Sequence, residues 1–316
     1  MYEITSNFKI KKGDSVKFSK IKYIERKTGE ILTEKVPGEK YLKFLYYNPF
    51  GELPLNLIVK KKFFTEYYGK KMDSKESCKK ISSFIEEAGI NIEEAKKSIE
   101  EFTSFNDFFY RELKDGKRLV NQDENVLVSP ADGKIIVFEN LSDKDELFVK
   151  GDKFTLKEFF RNKEMAEKFE GGVFLIVRLA PVDYHRFHFP ADGKISSSNL
   201  IEGDYYSVST HAVKKNFRIF CENKREYSIL STEKFGDIAM FEVGATMVGG
   251  IRQTYIPDSF VKKGEEKGYF FFGGSTCVLV FEKDKIEIDK DLIENTKKGI
   301  ETKVYMGERI GISHKR

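Results

Sequence analysis

Two of the four histidines stand three residues apart in APVDYHRFHFPADG, at His185 and His188. An imidazole titrates close to neutral pH, so the pair are candidates for proton transfer. Strand side chains alternate with a period of two, so an ideal straight strand cannot show both rings on one face. A turn or bulge after Pro181 changes that. Metal binding with Asp183 as third ligand is the weaker reading, because no further Cys or His stands nearby. No metal is expected. His211 and His314 lie outside any motif and read as structural or solvated.

The second reactive candidate lies in YFFFGGSTCVLVFE, Tyr269 to Glu282. Aromatic and β-branched residues describe a buried strand, yet Gly273, Gly274, Ser275 and Thr276 interrupt it. Glycine gives a strand nothing to pack and loses much entropy on folding. A serine hydroxyl needs a base to become a nucleophile. His188 is a candidate for that base, with Asp132 of SPADGKI orienting the ring. A serine hydrolase acting on an external ester is one outcome, although the G-x-S-x-G elbow is absent around Ser275. The other target is the serine's own preceding carbonyl, that of Gly274. A glycine there removes the obstructing Cβ and tolerates the bent backbone. The chemistry is then an N-to-O acyl shift followed by β-elimination, which cuts the chain.

These residues need a scaffold, and the sequence predicts a β-rich one of class α+β. PADGKI occurs twice, at 130–135 and 190–195, and each copy is followed by a Gly-Asp step. Pro-Ala-Asp-Gly is turn chemistry, so two units of one design predict a pseudo-symmetric antiparallel core. Asp192 reads as a turn former only. Ahead of the core, residues 8–36 alternate around KKGD and KTGE and predict a hairpin. Residues 39–70 interleave Leu, Phe and Tyr with Lys, and Pro49 and Pro54 divide them into two short helices. They fit either a core-packed pair or an amphipathic element facing anionic lipid. Ser74 is a candidate N-cap, and INIEEAKKSIEEF continues at helical spacing after Gly89. The domain boundary falls near residue 100: an N-terminal hairpin and helical, membrane-associating region over 1–100, and a catalytic β-rich domain over 101–316.

The length of 316 residues and a hydrophobic share of 40% allow a sizeable core. A net charge of +4 with no dominant basic stripe points away from nucleic acid. Cys78, Cys221 and Cys277 are odd in number and far apart, which fits a reducing cytosolic setting rather than a disulfide framework. The N-terminus has no apolar signal region, and no window is apolar enough to span a bilayer.

In the order FNDFFYREL, SPADGKI, DYHRFHFP and GEEKGYFFFGGSTCVLVFE, the chain resembles the bacterial, pyruvoyl-dependent phosphatidylserine decarboxylase proenzymes, and the early KYIERKTGEILTEKVPGEKYLKFLYYNPFG extends the likeness. The resemblance implies a cut between Gly274 and Ser275, giving a heterodimer of residues 1–274 and 275–316. It implies that Asp132, His188 and Ser275 form the self-cleavage triad, and that Ser275 becomes a covalent pyruvoyl cofactor. That group would form a Schiff base with the amine of phosphatidylserine and act as electron sink. His185 would be the acid/base of decarboxylation, and the products phosphatidylethanolamine and carbon dioxide. The resemblance also implies a peripheral enzyme on the cytoplasmic face of the cell membrane, held to its anionic surface by Tyr41 to Tyr68. A serine hydrolase and a non-enzymatic β-barrel lipid-binding module stay open as alternatives.

Overall fold

The structure is a computed structural model that describes residues 20–36, 40, 43, 44, 48, 62–141, 154–245, 250–273 and 275–314. Gly274, the Gly151-Asp152 step and most of Tyr41–Tyr68, including the two short helices expected around Pro49 and Pro54, lie outside the described residues. The hairpin expected early in the chain is present as β1 (Lys22–Glu25) and β2 (Ile31–Thr33), closed over KTGE with Gly29 at φ 74°. Helices α1 (Lys62–Met72), α2 (Ile81–Ala88) and α3 (Phe105–Phe109) follow. Ser74 does stand at an N-cap, but of a 3-10 turn over Lys75–Lys80.

The helix expected through INIEEAKKSIEEF is not formed. Two 3-10 turns, Ile92–Glu94 and Ile99–Glu101, flank an extended Ala95 that bridges to Leu113. Asn91 caps the first turn through its side chain, and Ser98 with Glu101 makes a capping box on the second. Polar side chains that bond nearby backbone offer an alternative to the helix, and here two of them restart the chain.

The remaining elements are β3 (Val126–Val128), β4 (Gly133–Phe138), α4 (Leu156–Phe160), α5 (Lys163–Lys168), β5 (Val173–Leu179), β6 (Arg186–His188), β7 (Gly193–Ile195) and β8 (Asn199–Ile201). After them come α6 (Thr210–Lys215), α7 (Ile219–Glu222), β9 (Arg225–Thr232), β10 (Gly236–Val243), β11 (Ile251–Gln253), β12 (Phe260–Val261) and β13 (Glu266–Phe270). The chain closes with β14 (Ser275–Phe281), β15 (Ile286–Ile288), α8 (Lys290–Lys297), β16 (Glu301–Val304) and β17 (Arg309–Ser313). The main sheet runs β12-β7-β9-β10-β14-β5-β4-β16-β1-β2, with β8 beside β9. Two smaller sheets run β11-β13-β6 and β15-β17-β3. The class is α+β and β-rich. Among the described residues no helix is long and apolar enough to cross a membrane.

Strand β14 is buried along its whole length. Val278 and Val280 enter one core with Phe159, Phe174 and Phe241, while Cys277, Leu279 and Phe281 enter the other with Leu175 and Val177. Burial on both faces explains the unbroken apolar run in the sequence. A third cluster joins α2 and α3 to Phe272, whose ring meets Phe105 at 4.8 Å and Phe109 at 5.0 Å.

The duplicated hexapeptide sets up a reciprocal frame. Val128 N–H donates to the Pro190 carbonyl (3.2 Å), and His188 N–H donates to the Pro130 carbonyl (2.8 Å). Each copy also clasps an x-x-G-E segment. Ser129 N–H donates to Glu308 O and Gly307 N–H back to Ser129 O; Phe189 N–H donates to Glu265 O and Gly264 N–H back to Phe189 O.

Candidate active site

Asp132 sits in the first PADG turn, buried at 2% exposure. Gly133 follows because a Cβ there would lie 2.8 Å from the Arg178 carbonyl oxygen. Asp132 Oδ1 accepts the Met306 N–H at 2.8 Å. Arg118 takes the rest of the carboxylate, Nε at 2.9 and 3.0 Å and Nη2 at 2.6 Å, and reaches Glu94 with Nη1 at 3.1 Å. Burial alone would lower the pKa of Arg118, but the bonds to Asp132 and Glu94 carry it above its ordinary value. No hydrogen bond joins Asp132 to either histidine among the described residues.

His185 precedes β6 and is fully buried, its ring 3.9 Å from that of Phe109. Its Nδ1 lies 2.9 Å from the Asp183 carbonyl, which can only accept, so Nδ1 carries the proton. The neutral ring therefore presents Nε2 as a lone pair; Nε2 makes no hydrogen bond of good geometry among the described residues, although the Gly273 backbone lies close enough to act on the ring. Burial pushes the imidazole down to about 4 and the Arg111 charge acts the same way, while the backbone and charge of Asp183 and the Gly273 backbone oppose them.

The carbonyl that sets this tautomer is itself anchored. The Asp183 carboxylate accepts from Lys303 Nζ (2.6 Å) and Ala180 N–H (2.8 Å), with Lys134 Nζ at 3.6 Å. Burial would raise its pKa, but Lys134 and Lys303 hold it well below the usual carboxylate range. Lys134 is also 3.9 Å from Glu34, which shares Arg178 with Glu301 at 2.6 Å each. Three cations and three anions thus close a buried network reaching from the turn after β2 to β16.

His188 ends β6. Its Nδ1 donates to the Gly264 carbonyl (3.0 Å), so Nε2 accepts from the Tyr184 hydroxyl (3.2 Å). Burial lowers its pKa, against the pull of the Gly264 carbonyl, Glu266 and Asp132.

Ser275 opens β14, opposite Leu179 of β5. β13 belongs to the three-stranded sheet and β14 to the main one, so the chain passes from one sheet to the other between Phe270 and Ser275. Gly273 has φ 141°, a backbone conformation that favours glycine, and Phe272 N–H is held by Asn106 Oδ1 at 2.8 Å. Ser275 Oγ and Thr276 Oγ1 are buried without a hydrogen-bond partner among the described residues. An unpaired buried polar group costs about 1–3 kcal/mol, and a whole domain is stable by about 5–15 kcal/mol. Cys277 is a buried core residue whose thiol burial pushes up.

Asp132, His188 and Ser275, candidates from sequence, are thus all buried but not joined to one another: Asp132 bonds Arg118, His188 bonds Tyr184 and Gly264, and Ser275 Oγ has no partner among the described residues. Asp192, read as a turn former, is exposed and accepts the Lys263 N–H at 2.6 Å. Sequence reasoning did not single out Arg118, Tyr184, Lys303 or Arg111. Tyr184 and Arg111 lie inside quoted motifs, DYHRFH and FYREL, which was the available signal; Arg118 and Lys303 lie in none.

The β-rich scaffold thus buries two imidazoles and a serine, with His185 Nε2 and Ser275 Oγ left without a hydrogen-bond partner among the described residues. The profile of the phosphatidylserine decarboxylase family matches residues 105–312. Proteins described as phosphatidylserine decarboxylase proenzyme are similar along nearly the whole chain. The one from Fusobacterium nucleatum is 68% identical over 93% of this chain and 98% of its own. That of Clostridium novyi is 52% identical over 92% and 99%, and that of Desulfitobacterium hafniense 46% over 94% and 99%. The chain belongs to the phosphatidylserine decarboxylase family.

Proposed function

We propose that this protein is a self-processing decarboxylase that converts phosphatidylserine to phosphatidylethanolamine and carbon dioxide. The observation that carries the reading is Ser275 Oγ, buried and without a partner among the described residues at the first position of β14, where the chain crosses between sheets. A free hydroxyl directly after a glycine pair suits attack on the preceding carbonyl. The serine Oγ–carbonyl bond forms as the Gly274–Ser275 peptide bond breaks. β-Elimination then leaves a carboxylate on Gly274 and a dehydroalanine, which water converts to a pyruvoyl group with loss of ammonia.

His188 is the proposed base for the cut, its Nε2 exchanging the Tyr184 hydroxyl for Ser275 Oγ. Asp132 acts through charge, since Arg118 and Met306 occupy its oxygens. A pyruvoyl group at position 275 fits the Ser275 Oγ, unpartnered among the described residues, from which it would form, and His185 Nε2 is a candidate lone pair for it. When formed, the group supplies an electron sink that accepts the electrons left as carbon dioxide departs. His185 receives and passes on a proton at Nε2, with Nδ1 held on the Asp183 carbonyl. With a pKa of about 4 the ring is neutral near pH 7, so it acts as an acid only on a proton it has first received in the reaction.

After the cut, residues 275–316 would stay seated in the body formed by residues 1–274. β14 lies between β5 and β10, β16 between β4 and β1, and β17 beside β3. In this reading, residues 1–100 contain the membrane-associating segment and 101–316 carry the chemistry, with Tyr41 to Tyr68 holding the enzyme on the cytoplasmic face of the cell membrane. The test is carbon dioxide release from phosphatidylserine vesicles. Wild type is expected to turn over and Ser275→Ala to be inert; equal rates from the two would end the proposal.

A further inference from the structure

Arg111, Arg178 and Arg225 have largely buried side chains, and one differs from the others. Arg178 is met by two carboxylates and Arg225 by backbone carbonyls of Glu158, Phe159, Cys221 and Asn223. Arg111, in the turn after α3, is 6% exposed, yet its Nε and Nη1 meet no acceptor among the described residues. Only Nη2 finds one, the Val182 carbonyl at 3.5 Å, where little of a hydrogen bond is left. The guanidinium lies over the Phe108 ring at 5.3 Å. Burial brings its pKa down to about 10, with Asp132, Asp183 and Glu94 attracting its charge and Arg118 repelling it. It is therefore a cation at neutral pH. A buried cation with idle donors is costly unless something else fills them.

Its position says which site it serves. The neighbouring Phe109 lies against His185, and the Arg111 charge is felt by the His185 ring. Arg111 follows Phe109 by two residues, so its idle donors lie within electrostatic range of His185.

We propose that Arg111 binds the phosphodiester of the substrate headgroup. The inference rests on the decarboxylase reading above, which brings two anions into the site, a carboxylate and a phosphodiester. The carboxylate loses its charge as carbon dioxide leaves. An arginine paired with it would hold the ground state more tightly than the transition state and slow the reaction. The phosphodiester keeps its charge throughout, so gripping it positions the substrate without opposing the chemistry. Its oxygens suit a guanidinium.

The test uses dihexanoylphosphatidylethanolamine, which has the phosphodiester and lacks the carboxylate. Its Kd is measured by calorimetry on purified wild type and Arg111→Gln, beside KM and kcat for dihexanoylphosphatidylserine. Losing a charged hydrogen-bond partner should raise both Kd and KM about 10- to 100-fold, with kcat little changed. An unchanged Kd with a raised KM assigns Arg111 to the carboxylate and overturns the proposal. Unchanged Kd and KM make it structural and overturn it too. Should Arg111→Gln not fold, Arg111→Lys replaces it. It keeps the charge without the planar fork; a several-fold rise in Kd is expected, and a wild-type Kd counts against the proposal. Wild type that releases no carbon dioxide sinks the decarboxylase reading itself; active wild type with a Kd indifferent to residue 111 sinks this inference alone.

Discussion

At 130–135 and at 190–195 the same six residues make the same turn. In both, the proline carbonyl accepts an N–H from the other copy, and the aspartate accepts a backbone N–H from an x-x-G-E segment: Met306 at 2.8 Å for Asp132, Lys263 at 2.6 Å for Asp192. The side chains then diverge. Asp132 is buried under Arg118, while Asp192 is exposed. Lys134 is buried between Glu34 and Asp183, while Lys194 is exposed. Two residues before the proline stands Val128 in one copy and His188 in the other. The repeat builds a frame, and residues outside it decide which half carries reactive groups.

The comparison breaks most visibly at His188. His188→Val gives both copies the same residue at that position. The cut is expected to slow about 10²–10⁴-fold while the melting temperature stays within a few degrees; gel analysis of the purified chain reads the first and calorimetry the second. Normal processing in this variant would remove His188 from the proposed mechanism. Next come the aspartates. Asp132→Asn strips Arg118 of a buried charge partner and should cost about 3–5 kcal/mol in denaturant unfolding. Asp192→Asn should cost within about 1 kcal/mol, and equal costs would mean that the two turns do the same work. The lysines sharpen the contrast further. Lys134→Met is expected to lose about 1–3 kcal/mol, because Asp183 keeps Lys303 and Glu34 keeps Arg178. Lys194→Met should stay within about 0.5 kcal/mol.

The smallest effect is one of pH. The unfolded His185 ring takes a proton near its ordinary value of 6.5, the folded ring only near 4. Between these values the unfolded state binds more protons, so stability falls as pH drops through that window. At pH 6 the loss from this one group is about 1 kcal/mol. Melting curves at pH 7 and pH 6 should lie closer together in His185→Asn than in wild type; an unchanged separation would mean that His185 is not buried as a neutral ring.

Much of the frame was legible because it is written in local chemistry. PADGKI announces its turns and the apolar run its buried strand, but the run 269–282, read as one strand, is divided: β13 ends at Phe270 in one sheet and β14 begins at Ser275 in another. The matching clasps KKGE (262–265) and YMGE (305–308) share only a Gly-Glu pair, and their role emerges from long-range backbone bonds. The run INIEEAKKSIEEF has helical spacing, yet Asn91 and Ser98 capped new turns and Ala95 went to a bridge with Leu113. The candidate site was legible in its histidines, Asp132 and Ser275. Arg118 was not, because nothing local ties it to an aspartate fourteen residues further on. Nor was the network that fixes Asp183, whose members come from β4, β5, β16 and the turn after β2.

The central claim, that this chain cuts itself at Ser275, is tested most directly by the mass of the purified wild-type protein under denaturing conditions. The expected result is two chains, one ending at Gly274 and one beginning with a pyruvoyl group in place of Ser275. A single uncut chain that nevertheless releases carbon dioxide from phosphatidylserine would contradict it.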